Sequence, residues 1–255
     1  MTFTRSGGTT DSADPREVVF HSTFEAAGQH TLTMERFSTA ATNLLLVSSI
    51  TPATDLVHGT IYSVDLSYQD MASNPAVTAG ISAVTFDTLT ETPTFSAPSA
   101  SSFIPTAFSA SFVLPEAALG GSVKITFTRS GGISDANSPH VITYSTAFES
   151  SGSHTVTMAA LSGAASSVTQ VSSVTSNGGT AQDLVDGAIY SVEFEYRDAA
   201  GNTRSAITHT NVGFSGTSTI VPTMTNPTAD ANHVAAFSVS FSLPERAQTG
   251  TVKLT

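Results

Sequence analysis

Apolar and polar residues alternate along this chain in short runs. Phe237, Val239, Phe241 and Leu243 are interleaved with Ser238, Ser240 and Ser242, and Pro244 ends the run. Val123, Ile125 and Phe127 alternate with Lys124, Thr126 and Thr128, and Gly131-Gly132 closes that run. Tyr190, Val192, Phe194 and Tyr196 alternate with Ser191, Glu193, Glu195 and Arg197. A period of two places one side of an extended segment in a core and the other in solvent, so each run predicts a half-buried strand. Further strands are predicted up to Val84 and Phe86, up to Val212 and Phe214, around Val141-Ile142, across Thr155–Met158 and near Thr94. That makes about seven strands in a complete copy, the pattern of an antiparallel all-β sandwich. The one departure is Ala159 to Val168, where a short helix is predicted to cross between sheets.

The pattern repeats. Thr2-Phe3-Thr4-Arg5-Ser6-Gly7-Gly8 returns unchanged at Thr126 to Gly132, and Phe24-Glu25, Gly28, His30 and Met34 return as Phe148-Glu149, Gly152, His154 and Met158, a shift of 124. Asp55-Leu56-Val57, Gly59 and Ile61 to Val64 return as Asp183 to Val185, Gly187 and Ile189 to Val192, a shift of 128. Phe108, Leu114-Pro115-Glu116 and Lys124 return as Phe237, Leu243-Pro244-Glu245 and Lys253, a shift of 129. Self-similarity at a fixed period is the mark of a tandem array, and the growing offset reads as small loop insertions. Thr92-Pro93-Thr94 and Val221-Pro222-Thr223 open matching Pro-containing segments, and proline is suited to joining one sandwich to the next. Boundaries are therefore expected there: residues 1–91 as the later part of one repeat without its first strands, 92–220 as a complete repeat, and 221–255 as the first strands of another.

Charge narrows the functions. Only 11% of residues are charged, and the net charge of −11 reflects a shortage of bases: seven Arg, with Lys124 and Lys253. Nucleic-acid binding needs clustered cations, which are missing here. There is no Cys, so thiolate chemistry is excluded. No run approaches the roughly 20 apolar residues that span a bilayer. Gly-x-Ser-x-Gly, His-Glu-x-x-His and phosphate-cradle motifs do not occur, which argues against an enzyme.

The Asp-Leu-Val-x-Gly-x-Ile-Tyr-Ser-Val run, followed by Asp198-Ala199-Ala200-Gly201-Asn202, resembles the end of bacterial-type Ig-like repeats of large surface adhesins. Asp70 to Asn74 keeps only the Asp and the Asn of that turn, and Asp87-Thr88 keeps half of the family's linker. The resemblance implies tandem Ig-like (fibronectin III-like) repeats of about 128 residues in an extracellular or cell-surface stalk, filament or fibre. Its expected partners are neighbouring copies of the same repeat, joined covalently or in trans as a homopolymer. The alternative is an adhesin module that holds a glycan or protein through loops at residues 9–20 and 35–54 and their equivalents, where the two copies mainly diverge.

The candidate residues follow from these frames. Tyr62 and Tyr190 sit just after a Gly turn, the place where a tyrosine ring packs in the core while its hydroxyl bonds backbone a few residues upstream. His30 and His154 hold equivalent places and are expected to make one hydrogen bond at a strand end. Pro93 and Pro222 are expected to be structural. Asp70, Asp87 and Asp198 lie in turns or linkers, the places where similar adhesin repeats hold Ca²⁺. They are the calcium candidates against an otherwise cofactor-free expectation, although Asp is also an ordinary turn former.

Overall fold

A computed structural model of the chain describes all residues except 35, 41–45, 165–169, 217, 218, 220, 230, 231, 233–235, 245, 246, 248, 249 and 255. The end of the expected 159–168 helix lies outside the described residues; its start is a single helical turn at Leu161–Ala164. Among the described residues everything else regular is strand, save a helical turn at Phe37–Ala40 and two short 3-10 turns. Two compact units divide the chain, Met1–Leu89 and Thr90–Thr255.

Unit 1 holds β1 (Thr2–Gly8), β2 (Arg16–Phe20), β3 (Val47–Thr51), β4 (Thr60–Tyr68) and β5 (Val77–Phe86). They form one antiparallel sheet in the order β3-β2-β1-β4-β5. The segments 9–20 and 35–54, expected to be loops, are partly strand: β2 and β3 fall inside them, where Val18, Val47 and Ile50 turn inward. These residues join Phe37 in a small core, with Met1, Phe3 and Phe20 packed against it.

Unit 2 holds β6 (Thr94–Ala97), β7 (Phe103–Ile104), β8 (Phe108–Leu114), β9 (Lys124–Gly132), β10 (His140–Tyr144), β11 (Gly152–Met158), β12 (Val171–Ser176), β13 (Gly179–Thr180), β14 (Ala188–Tyr196) and β15 (Ser205–Phe214). A seven-stranded sheet runs β13-β12-β10-β9-β14-β15-β7, antiparallel except for the β15–β7 pair. A three-stranded sheet, β11-β8-β6, shares its core. β14 alternates as the sequence predicts: Tyr190, Val192, Phe194 and Tyr196 are fully buried while Ser191, Glu193 and Glu195 face outward. Arg204, just before β15, pairs with both glutamates. Phe112 of β8 stacks on Phe194 at 4.5 Å, and Phe108 meets Phe127 at 5.6 Å. Burying one such ring contributes about 2 kcal/mol. A last pair, β16 (Thr223–Asn226) and β17 (Ser240–Ser242), forms a two-stranded sheet of its own.

Both units turn in the same way. Gly8 and Gly132 end their strands at φ +67° and +66°, and a Cβ at either would collide with the carbonyl oxygen of Gly59 or Gly187. Only glycine fits such a left-handed position at close approach.

Candidate functional site

The two predicted tyrosines build matching buried centres. In unit 1 the Tyr62 hydroxyl accepts from the Val57 N–H at 3.1 Å and donates to Asp11 Oδ2 at 2.6 Å. In unit 2 the Tyr190 hydroxyl accepts from the Val185 N–H at 2.9 Å and donates to Asp135 Oδ2 at 2.7 Å. The backbone contact lies five residues upstream, and the acceptor is a carboxylate instead of a carbonyl. Each carboxylate also closes its own turn, Asp11 through the Ala13 N–H at 3.0 Å and Asp135 through the Asn137 N–H at 2.9 Å. Burial foremost pushes both tyrosine hydroxyls up, so each remains a donor.

What balances the carboxylate differs between the units. Asp11 faces Arg16, whose Nη1 and Nη2 both reach it while Nε and Nη2 also donate to the carbonyls of Thr54 and Asp55 at 2.8 and 2.6 Å. The Arg16 hydrogen bonds hold Asp11 down to about 2, against the opposing effect of burial. Asp135 faces His140, whose Nε2 lies 2.7 Å from Oδ2, and both side chains are fully buried. There burial pushes the carboxyl up, but the hydrogen bonds from His140, Tyr190 and Asn137 outweigh it and hold Asp135 below the usual carboxylate range. His140 Nδ1 faces Ser176 Oγ at 2.8 Å, and that oxygen accepts from the Gln182 N–H at 2.8 Å. Sequence reasoning missed this exchange because His140 stands alone among histidines. The signal was that Asp11, Pro15 and Arg16 correspond to Asp135, Pro139 and His140 at the shift of 124.

The other candidates are placed as follows. Asp70 accepts from the Asn74 N–H at 3.0 Å and Nδ2 at 2.7 Å, and Asp198 accepts from Asn202 in the same way at 2.9 and 2.7 Å. The Asn74 bonds hold Asp70 below its ordinary range; in Asp198 burial pushes the carboxyl up, but the bonds from Asn202 and its neighbours together outweigh it and hold it below that range too. Each thus has both oxygens engaged in closing its own turn. Glu116 brings a carboxylate oxygen within 4.8 Å of one of Asp198. Asp87 Oδ1 accepts from the Leu89 N–H at 3.2 Å and lies 3.2 Å from His58 Nδ1. His30 and His154 each place Nε2 at 2.7 Å from the carbonyl four residues earlier, Ala26 and Ser150. Pro93 and Pro222 each stand immediately before a strand, β6 and β16.

Unit 1 also carries an open cavity of about 460 Å³ lined by Phe3, Met34, Phe37, Leu56, Phe86 and Thr88, with the charged Arg36 and Asp55 among its walls. The corresponding place in unit 2, between Leu161, Leu184 and Phe214, contains Phe108 and leaves about 10 Å³. Among the described residues no helix is long and apolar enough to cross a membrane. No known family, characterised protein or solved structure matches the chain.

Proposed function

We propose that the chain is a stretch of tandem Ig-like, fibronectin III-like β-sandwich repeats that serves as a non-catalytic stalk, filament or fibre at the cell surface. The observation that carries this reading is the tyrosine–carboxylate centre constructed twice, at Tyr62–Asp11 and Tyr190–Asp135. In both places the polar groups are sealed inside and tie a turn to a strand. Ser176, His140 and Asp135 are residue types that elsewhere perform acyl transfer, but the imidazole and carboxylate are wholly enclosed, where they brace strands and meet no substrate. The hydroxyl-rich, weakly charged surface suits packing against further copies. The same residues that resemble surface adhesin repeats support an extracellular location.

Pulling on the chain by its two ends tests the mechanical role. A load-bearing sandwich ruptures in one discrete event that releases about 400 Å of chain for the roughly 120 residues from β6 to β15. Smooth extension without such an event would overturn it. Antibody labelling of intact cells tests the location, and a signal that appears only after permeabilisation would refute it.

A further inference from the structure

The two buried centres are closed by different means. β10 pairs with β12 in the register of β2 with β3, which sets Ser176 at the place of Pro52. From there to the next repeated residue, Asp55 in one copy and Asp183 in the other, unit 2 has four more residues. The longer segment holds the turn Asn177-Gly178 and β13, with Thr175 facing Thr180 and Ser176 facing Gly179. In unit 1 the long Arg16 side chain itself reaches the carbonyls of Thr54 and Asp55. In unit 2 the shorter His140 stops at Ser176 Oγ, 2.8 Å from Nδ1, and the Gln182 N–H beyond the hairpin donates to that same oxygen at 2.8 Å. The Asn177 N–H ties the turn to the Pro139 carbonyl at 2.7 Å. The polar contacts of His140 therefore depend on the register of this hairpin.

The turn itself is chemically labile. Asn177 and Gly178 stand at φ +45° and +74°, the left-handed pair that suits a two-residue hairpin loop. Both are exposed, and no atom lies within 4 Å of where a Gly178 Cβ would stand. Among the described residues neither the Asn177 carboxamide nor the Gly178 N–H has a hydrogen-bond partner. A backbone nitrogen that follows asparagine can attack the carboxamide carbon, and glycine, without a Cβ, leaves that approach clear. Two facing pairs are all that align β13, so the turn opens locally and reaches the geometry of attack. Asn177 is the one asparagine of the chain that precedes glycine; Asn74 and Asn226 precede proline, which has no N–H to give up.

We propose that Asn177 is a site of spontaneous deamidation, and that its isoaspartate product opens the β12–β13 hairpin and the Ser176–Gln182 bond beside His140. The Gly178 nitrogen loses its proton to solvent base and bonds to Asn177 Cγ; the bond from Cγ to the amide nitrogen breaks, and ammonia leaves. Water then opens the cyclic imide. Attack at Cγ restores the backbone and leaves aspartate, whereas attack at the α-carbonyl routes the chain through Cγ and leaves isoaspartate. The second product inserts one backbone atom into a loop whose length fixes the strand register, directly beside Ser176. Unit 1 has Pro52-Ala53-Thr54 here and holds its centre with Arg16, so it carries no such site. Ageing therefore acts on one kind of repeat and spares the other, whatever the array is for.

Warm, mildly alkaline incubation of the full chain, followed by tryptic mapping, tests the chemistry. Asn137 and Asn177 fall on one tryptic peptide, residues 130–197, so the exposed Asn137-Ser138 serves as an internal reference. Asn177 is expected to convert at least about tenfold faster than Asn137, with isoaspartate exceeding aspartate. Equal rates at the two positions would overturn the proposal. Amide exchange on the aged protein reads the structural effect: the Gln182 amide is expected to exchange at least about tenfold faster than in fresh protein. Freshly prepared Asn177→Asp carries the new charge without the added backbone atom, and is expected to keep Gln182 protected. An aged protein with Gln182 as protected as before, or an Asn177→Asp protein as open as the aged one, would sink the hairpin argument.

Discussion

Replacing Tyr190 with Phe removes one oxygen and leaves the ring where it is. That oxygen takes the Val185 N–H at 2.9 Å and gives its proton to Asp135 at 2.7 Å. A hydrogen bond to a charged acceptor contributes about 1.5–3 kcal/mol, and an orphaned backbone N–H costs at least about 1 kcal/mol. Val185 is only half-buried, so water recovers part of the second loss. The sum is about 3 kcal/mol. Tyr144→Phe provides the opposite case in the same core. Its hydroxyl is buried, and among the described residues it has no hydrogen-bond partner. Unit 1 holds Phe20 at the matching place. Removing an unsatisfied buried hydroxyl relieves its desolvation, so Tyr144→Phe should stabilise by about 1 kcal/mol. Opening free energies from amide exchange in β9 and β14 measure both, since their most protected amides report unfolding of the unit. A Tyr190→Phe protein within about 0.5 kcal/mol of the parent, or a Tyr144→Phe protein as weakened as Tyr190→Phe, would refute this account of the core.

Two further outcomes are expected. Asp11 and Asp135 are more acidic folded than unfolded, so their contribution is fully present above the ordinary value of 3.8 and is lost as pH falls through the folded value. For Asp11 that window runs from 3.8 down to about 2, and acid titration of Asp11→Asn should lose this part of the stability slope. Ala83 sits at φ +58°, where the matching bulge residue of unit 2 is Asn211 at φ +59°. Left-handed backbone costs alanine about 1 kcal/mol that asparagine largely avoids, so Ala83→Asn should raise the melting temperature of unit 1, and an unchanged or lower value would contradict the backbone argument.

Much of the strand pattern is legible in the sequence because alternation and the β ladder share a period of two. β14 is the clearest case, with its four apolar residues buried and its two glutamates paired outward with Arg204. Parity tells which way a side chain points, but not whether anything lies above it. Leu66 and Tyr68 have the same parity as Phe194 and Tyr196 and are nonetheless exposed. Burial depends on a second layer, which is a non-local property. The centres were half legible. Tyr62 and Tyr190 stand out through the repeated glycine turn, whereas Asp11 and Asp135 lie in divergent segments. The partner of the carboxylate changes from Arg16 to His140, two residues alike only in placing a side-chain nitrogen against it. The exchange leaves no repeated letter at that one position, although Asp11 and Pro15 return as Asp135 and Pro139 beside it.

The identity of Thr2–Gly8 with Thr126–Gly132 has a kinetic consequence. Each copy of this word is an inner strand, hydrogen-bonded to β2 and β4 in one unit and to β10 and β14 in the other. An unfolded chain therefore holds two interchangeable central strands, and local sequence gives neither set of flanking strands a reason to prefer its own. Correct pairing relies on chain connectivity: β1 is tethered to β2 by a loop of a few residues, while the rival copy must close a loop of more than a hundred. Longer loops close at an entropic disadvantage that grows only logarithmically, so the preference is modest. Synthesis from one end supplies the remaining discrimination, because the first sheet can close and engage β1 before β9 emerges. Refolding from denaturant removes that order in time and exposes the chain to strand exchange between repeats.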